Sequence, residues 1–136
     1  MVSKHLCNFL AIMNLGVRTK KAKISVRIKA NYIKLFIDLL FKENYIYGYF
    51  IESKKEFYTR TEEVICINFK PKFIKRINLI SSPSFKKCIS AYELHSLHYK
   101  NPGSFFIMSS SELGFSTSRE CQKRNIGGIL ICELKI

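Results

Sequence analysis

Acidic residues are scarce in this chain: 10 Asp and Glu stand against 23 Lys and Arg, for a formal net charge of +13 at pH 7. Unpaired basic groups release counterions when they meet phosphate, so such a surface binds nucleic acid without reading its sequence. A merely solvated surface mixes both signs, and a membrane surface is the weaker rival partner. CxxC pairs are also missing. The five cysteines Cys7, Cys66, Cys88, Cys121 and Cys132 are scattered, odd in number and mostly set in apolar stretches. That argues against a disulfide framework and a zinc site, and for a reducing compartment. No apolar run reaches the length of a membrane span; the best, 35–41, is broken by Asp38. The first sixteen residues carry an apolar run too short for a signal peptide and lack the arginine- and serine-rich character of a transit peptide. Internal repeats and low-complexity tracts are absent too.

What is present is globular. A chain of 136 residues with 47% hydrophobic content buries one core, or two small packed subdomains. Phe, Tyr, Met, Ile, Asn and Lys together make up close to half the residues. All six have A/T-rich codons, which points to synthesis inside an organelle or in an A/T-rich bacterium.

The apolar periodicity divides the chain into elements. Leu6, Phe9, Leu10, Ile12 and Met13 predict a helix over 5–15, with Gly16 as its left-handed stop. A basic turn at 18–23 leads to a strand through Ile24, Val26 and Ile28. Ile33, Phe36, Ile37 and Leu40 mark the strongest helix, 31–43. Strands over 45–52 and 63–70, joined by a charged turn at 53–60, complete an αβαββ unit. Lys70-Pro71-Lys72 then breaks the strand, 73–80 is extended, and Ser81-Ser82-Pro83-Ser84 is a turn. Lys86-Lys87 leads into a short helix at 91–97, and a strand follows at 105–108. Thr117-x-x-Glu120 is a capping box opening a short helix, and Gly127-Gly128 turns into a closing strand, 129–134. The expected fold is α+β with two small subdomains, 1–80 and 81–136. Their cores would be built from Ile24, Val26, Phe36, Ile37, Leu40, Val64, Ile65, Ile67, Ile107, Ile129 and Ile131.

Catalytic patterns fail. His95-x-x-His98 has no carboxylate or thiol at metal-ligand spacing and reads as two solvated histidines near a turn. Gly114-Phe-Ser116-Thr-Ser118 lacks the closing glycine of a nucleophile elbow. No enzyme, cofactor, metal or small-molecule substrate is expected. The informative stretch is Ser109-Ser110-Ser111, then Gly114, the Thr117 cap and Gly127-Gly128. Hydroxyls and backbone N–H groups beside a helix start suit the sugar edges of an RNA minor groove and a phosphate. Lys20, Lys21, Lys86, Lys87, Arg119, Lys123 and Arg124 are the expected phosphate contacts, which position rather than specify.

This order of elements resembles bacterial-type small-subunit ribosomal protein eight, in a divergent form, over nearly the whole chain. The family runs helix, strand, long helix and two strands. A hinge ending in Ser-Arg-Pro follows, then Ser-Thr-Ser-x-Gly, a capped helix and Gly-Gly-Glu with a last strand. Here those features fall at 24–46, Ser81-Ser82-Pro83, Ser109-Ser110-Ser111 with Gly114, Thr117 and Gly127-Gly128. The chain departs from the family pattern at Ser82 for Arg, Cys88 for an aromatic, Ser110 for Thr, Phe115-Ser116 for two aliphatics, Cys121 for a small residue and Ile129 for Glu. One extra residue also precedes Gly114. The resemblance implies a structural constituent of the small ribosomal subunit that binds the central domain of small-subunit rRNA and supports platform assembly. Neighbouring small-subunit ribosomal proteins would be its other partners, on a mitochondrial ribosome or, alternatively, in a plastid or bacterium. The rival reading is a basic RNA-binding adaptor or translational repressor using the same fold.

Overall fold

The computed structural model describes residues 3–28, 31–57, 60–69 and 74–136. Helix α1 (Lys4–Arg18) starts at Ser3, whose hydroxyl accepts the Leu6 N–H at 3.3 Å. Strand β1 (Lys23–Ile28), helix α2 (Asn31–Lys42), strand β2 (Ile46–Phe57) and strand β3 (Arg60–Phe69) follow. The second half runs β4 (Arg76–Leu79), β5 (Lys87–Ile89), α3 (Ala91–Lys100), β6 (Ser104–Ser110), β7 (Gly114–Thr117), α4 (Ser118–Lys123) and β8 (Gly128–Lys135). The fold is α+β, with two antiparallel sheets. One is ordered β1-β3-β2; the other is ordered β4-β8-β6-β7, with β5 also pairing β8.

Alternation builds the first sheet. Ile24 and Val26 of β1 and Ile65 and Ile67 of β3 point inward, against the stripe Ile33, Phe36, Ile37 and Leu40 on α2. Ten of the eleven expected core residues are buried; Ile129 is half-buried. Phe36 is the joint between the halves, meeting Phe9 of α1 at 6.0 Å and Phe115 of β7 at 5.5 Å, both edge to face. Asn14 of α1 accepts the Ile77 N–H of β4 at 3.0 Å, and Tyr45 meets Phe105 at 5.9 Å. A second core, Ile89, Leu94, Phe106, Met108, Cys121 and Leu130, lies on the opposite face of the second sheet, beneath α3 and α4.

Several expectations are corrected. Gly16 does not stop α1, which runs on to Arg18; the left-handed residue is Lys20, φ 57°. Gly16 is needed for space instead: a Cβ there would stand 2.7 Å from Ile24 Cγ2. The charged segment 53–60 is not a turn, since β2 continues to Phe57 and β3 begins at Arg60. Residues 58 and 59, and the strand break at Lys70-Pro71-Lys72 with Phe73, lie outside the described residues. Two strands were not expected, β5 and β7. The second sheet also begins before Ser81, because β4 already pairs β8.

The edge of that sheet explains Ser81. β4 and β5 both pair β8, on either side of an irregularity at Ile131, where Ile107 opposes Cys132 and Met108 opposes Leu130. The Ile131 carbonyl accepts the N–H groups of Ile80 at 3.0 Å and Ser81 at 3.3 Å. Fully buried, the Ser81 hydroxyl donates to the Leu130 carbonyl and accepts the Lys87 N–H at 3.0 Å. The edge thus crosses the bulge without leaving these backbone groups unpaired.

Candidate nucleic-acid interface

One end of the second sheet gathers the serine stretch and both glycines. Across it, Phe115 of β7, Ser109 of β6, Ile129 of β8 and Cys88 of β5 stand in register. In the next row Ser110 pairs Gly114, and Gly128 pairs Ile89. Strand β6 continues through Ser110, so two of the three serines are strand residues rather than loop. Both are closed in, with 8% of their surface exposed, while Ser111 is exposed in the turn.

Local chemistry fixes that turn. The Ser110 hydroxyl accepts the Leu113 N–H at 3.0 Å, and Gly114 takes φ 67°, closing a short hairpin with a left-handed residue. Gly128 lets β8 lie close to β6: a Cβ there would meet the Ser109 carbonyl oxygen at 2.6 Å. One on Gly127 would meet the Ile89 carbonyl oxygen at 2.7 Å. The two glycines are therefore demanded by backbone approach within the sheet.

Thr117 caps α4, accepting the Glu120 N–H at 3.3 Å. The Glu120 carboxylate accepts from Arg124 Nε at 2.9 Å. With six residues and that N–H engaged, α4 offers little dipole to a phosphate. Positive charge comes from side chains. Lys86 and Lys87 are exposed on and beside β5, and Lys123 and Arg124 on the end of α4. The Arg119 guanidinium sits 4.9 Å from the Phe105 ring centroid. Lys20 and Lys21 are exposed in the α1–β1 turn, which leads into the other sheet.

The histidines are not simply solvated. His98 Nδ1 is 2.6 Å from Gln122 Oε1 and its Nε2 is 2.7 Å from the Ser118 hydroxyl, joining α3 to α4. His95 Nδ1 meets Gln122 Nε2 at 3.3 Å. Although a serine and a histidine are hydrogen-bonded here, Ser118 is buried to 2% exposure, which leaves its hydroxyl no approach for a substrate. Among the described residues, no group of three His, Cys, Asp or Glu side chains is placed to hold a metal. No described helix is long and apolar enough to cross a membrane.

Burial is the leading cause of the two largest shifts among the described ionisable groups. It raises the Cys132 thiol to about 12. Burial also leads the rise of the Tyr45 phenol to about 12, with Glu43 and Cys132 adding to it and Arg119 opposing. The replacements of family residues are partly compensated inside the fold: Phe115 meets Phe36 edge to face, and buried Ser116 faces Cys121 Sγ at 3.0 Å. Reading the sequence missed Ser81, Ser118 and Gln122, whose partners lie on other strands and helices. The hydroxyl-rich composition hinted at the two serines, and nothing hinted at Gln122.

Fold and site together define a basic α+β protein whose hydroxyl- and glycine-rich sheet end is flanked by exposed cations. Residues 4–134 match the family model for ribosomal protein S8. The chain is 32% identical over 117 residues, 85% of its length and 86% of the relative's, to small ribosomal subunit protein uS8 of Rickettsia typhi. It is 31% identical over 102 residues, 72% of each chain, to the protein of that name in Orientia tsutsugamushi strain Boryong. The chain belongs to the ribosomal protein S8 family.

Proposed function

We propose that this protein is a structural constituent of the small ribosomal subunit that binds the central domain of small-subunit rRNA and supports platform assembly and translation. The observation that carries the reading is the sheet end itself. Registered pairing brings Ser109, Ser110, Gly114 and Gly128 together beside exposed Ser111 and Lys87. A groove of ribose hydroxyls is read by such neutral donors and acceptors, while lysines at the rim meet phosphate. Residues 81–136 supply this RNA-binding half, and residues 1–80 the companion subdomain together with β4, the strand it lends to the second sheet. Neighbouring small-subunit proteins occupy other faces. The particular ribosome is mitochondrial, in keeping with the A/T-codon bias, and a plastid or A/T-rich bacterial ribosome is the alternative; subcellular fractionation distinguishes them.

The test is binding to a central-domain rRNA fragment at several salt concentrations. Ser109→Ala with Ser111→Ala removes two neutral partners worth about 0.5–1.5 kcal/mol each, so affinity falls roughly fivefold to a hundredfold. No charge is lost, so the salt slope stays unchanged. Ser110→Ala is kept separate, because its hydroxyl holds the Leu113 N–H and its loss acts on folding as well. Wild-type affinity in a folded double variant would reduce these serines to structural residues. Copurification at unit stoichiometry with high-salt-washed small subunits is expected; binding to mRNA alone would favour a translational repressor.

A further inference from the structure

Among the described residues, the most exposed large side chains of apolar character are Tyr92 and Tyr99 of α3, at 90% and 84%. A helix advances about 100° and 1.5 Å per residue, so two residues seven apart share a face about 10.5 Å from each other. His95 and Ser96 fill the intervening positions of that stripe, and both are exposed. The opposite side of α3 is buried through Leu94, with Leu97 partly buried against the same core. The outward stripe therefore carries three aromatic rings, Tyr92, His95 and Tyr99, and no aliphatic side chain.

Its position and its charged flanks set this face apart. α3 begins where the chain leaves β5, and a Cβ on Gly127 would stand 3.1 Å from Ser90 Cα and 3.3 Å from the Ala91 nitrogen. Tyr92, in the first turn, thus sits beside the Gly127–Gly128 end of the second sheet, and the stripe leads away from it. Gln122 of α4 meets His95 at 3.3 Å and is followed by exposed Lys123, while exposed Lys100 follows Tyr99. Arg124 adds less, because Glu120 engages it. Glu93 lies in the first turn of α3, about 100° around the helix from Tyr92 on the flank opposite His95.

We infer that this face of α3 is a stacking platform for a short unpaired stretch of the RNA held at the sheet end, with one base on Tyr92, another on Tyr99 and the backbone between them beside Lys100 and Lys123. The platform rests on the RNA reading of that end and adds to it a single-stranded segment, held by ring faces rather than by groove shape. Unpaired bases stack on tyrosine and histidine rings, whereas bases inside a duplex are already stacked on one another. At about 3.4 Å per stacked step, the span of about 10.5 Å is three steps, so the segment is roughly four nucleotides long. A protein partner fits less well. A groove that accepts a helix face takes apolar anchors at i, i+3, i+4 and i+7, and the middle two positions here are His95 and Ser96.

The probe is fluorescein-labelled hexa-adenylate RNA, titrated against the full chain by anisotropy. A hexamer of abasic spacers with the same phosphate charge is the comparison, and hexa-adenylate is expected to bind roughly tenfold tighter or more. Tyr92→Ala with Tyr99→Ala should weaken hexa-adenylate by roughly fivefold to a hundredfold for each ring removed. The salt slope and the urea midpoint should stay unchanged, since no charge and no buried contact is lost. Tyr92→Phe with Tyr99→Phe keeps both ring faces and should bind as the wild type does. Equal binding of the abasic hexamer, or loss of binding in the Phe double variant, overturns the inference. Wild-type affinity in the Ala double variant also overturns it and leaves the tyrosines to a protein partner. Loss of hexa-adenylate binding with the central-domain fragment still bound strikes the platform alone. Hexa-adenylate held through the tyrosines with that fragment unbound strikes the groove reading alone, and binding of neither overturns both.

Discussion

Glycine positions show how a single residue acquires its constraint. Gly103 has no atom within 4 Å of a would-be Cβ, whereas the same atom on Gly128 would stand 2.6 Å from the Ser109 carbonyl oxygen. Gly128→Ala must therefore push β8 from β6, and overpacking of this kind costs about 1–3 kcal/mol. Gly103→Ala should change stability by less than about 1 kcal/mol. Urea midpoints compare the two; equal midpoints would mean the β6–β8 spacing is loose. Gly16 belongs with Gly128, although sequence reading made it a helix stop. A glycine inside a helical pattern looks like a terminus until the strand crossing behind it is known. Tyr45 supplies the pH dependence. Its phenol keeps its proton to about 12 in the fold, against an ordinary value of 10.0. The raised value means the unfolded chain releases the proton first. The stability it contributes is complete below pH 10 and is lost as pH rises toward 12, at up to about 1.4 kcal/mol per pH unit. Buried Cys132, raised from 9.0 to about 12, acts in the same direction from a lower starting pH. Tyr45→Phe should flatten the alkaline decline measured by urea unfolding between pH 9 and 11.5 under reducing conditions. An unaltered slope would remove Tyr45 from the account.

Elements were legible in proportion to their length and to how one-sided their burial is. The stripe on α2 gave its range within one residue, because Ile33, Phe36, Ile37 and Leu40 all face a core. The three residues of β5 and four of β7 are too short to show a period, and both went unread. The serine stretch failed differently. Small polar residues show no alternation, so nothing in the sequence told that Ser109 is paired on both sides of β6 and Ser110 on one. Their chemical type was legible; their burial was not. The broken edge β4–β5 depends on Ser81 in a way composition alone could not reveal. Ser81→Ala leaves the Lys87 N–H without its acceptor and removes a bond to the Leu130 carbonyl. An unmatched buried backbone group costs about 1–3 kcal/mol, so the variant should lose roughly that much stability. Amide exchange would locate the loss, with faster exchange at Lys87 and its neighbours in β5 and little change in α2. Uniform acceleration throughout the chain would show that the edge is not an independent unit.

At the scale of the whole molecule, the two sheets are tied by side chains rather than by strand pairing: Phe36 on Phe115, Tyr45 on Phe105, and Asn14 on the Ile77 backbone. Charge is spread over both. Lys20 and Lys21 lie in the turn leading to the first sheet, while Lys86, Lys87, Arg119, Lys123 and Arg124 surround the second. The composition announced a polyanion partner, and only the fold shows that the cations divide into two sets. An RNA long enough to meet both should release counterions at both. Each neutralised phosphate contact flattens the slope of log affinity against log salt by about 0.9, taking duplex DNA as a guide. Lys87→Gln and Lys123→Gln should flatten it on any fragment that fits the serine end. Lys20→Asn and Lys21→Gln should flatten it only on a longer fragment reaching α1. Asparagine is chosen at position 20 because that residue holds φ 57°, where most side chains are strained. If all four variants leave the slope unchanged on the long fragment, the basic surface does not face RNA. If the lysines of the α1 turn alter binding to the short fragment equally, the two sets act as one field rather than as two contacts.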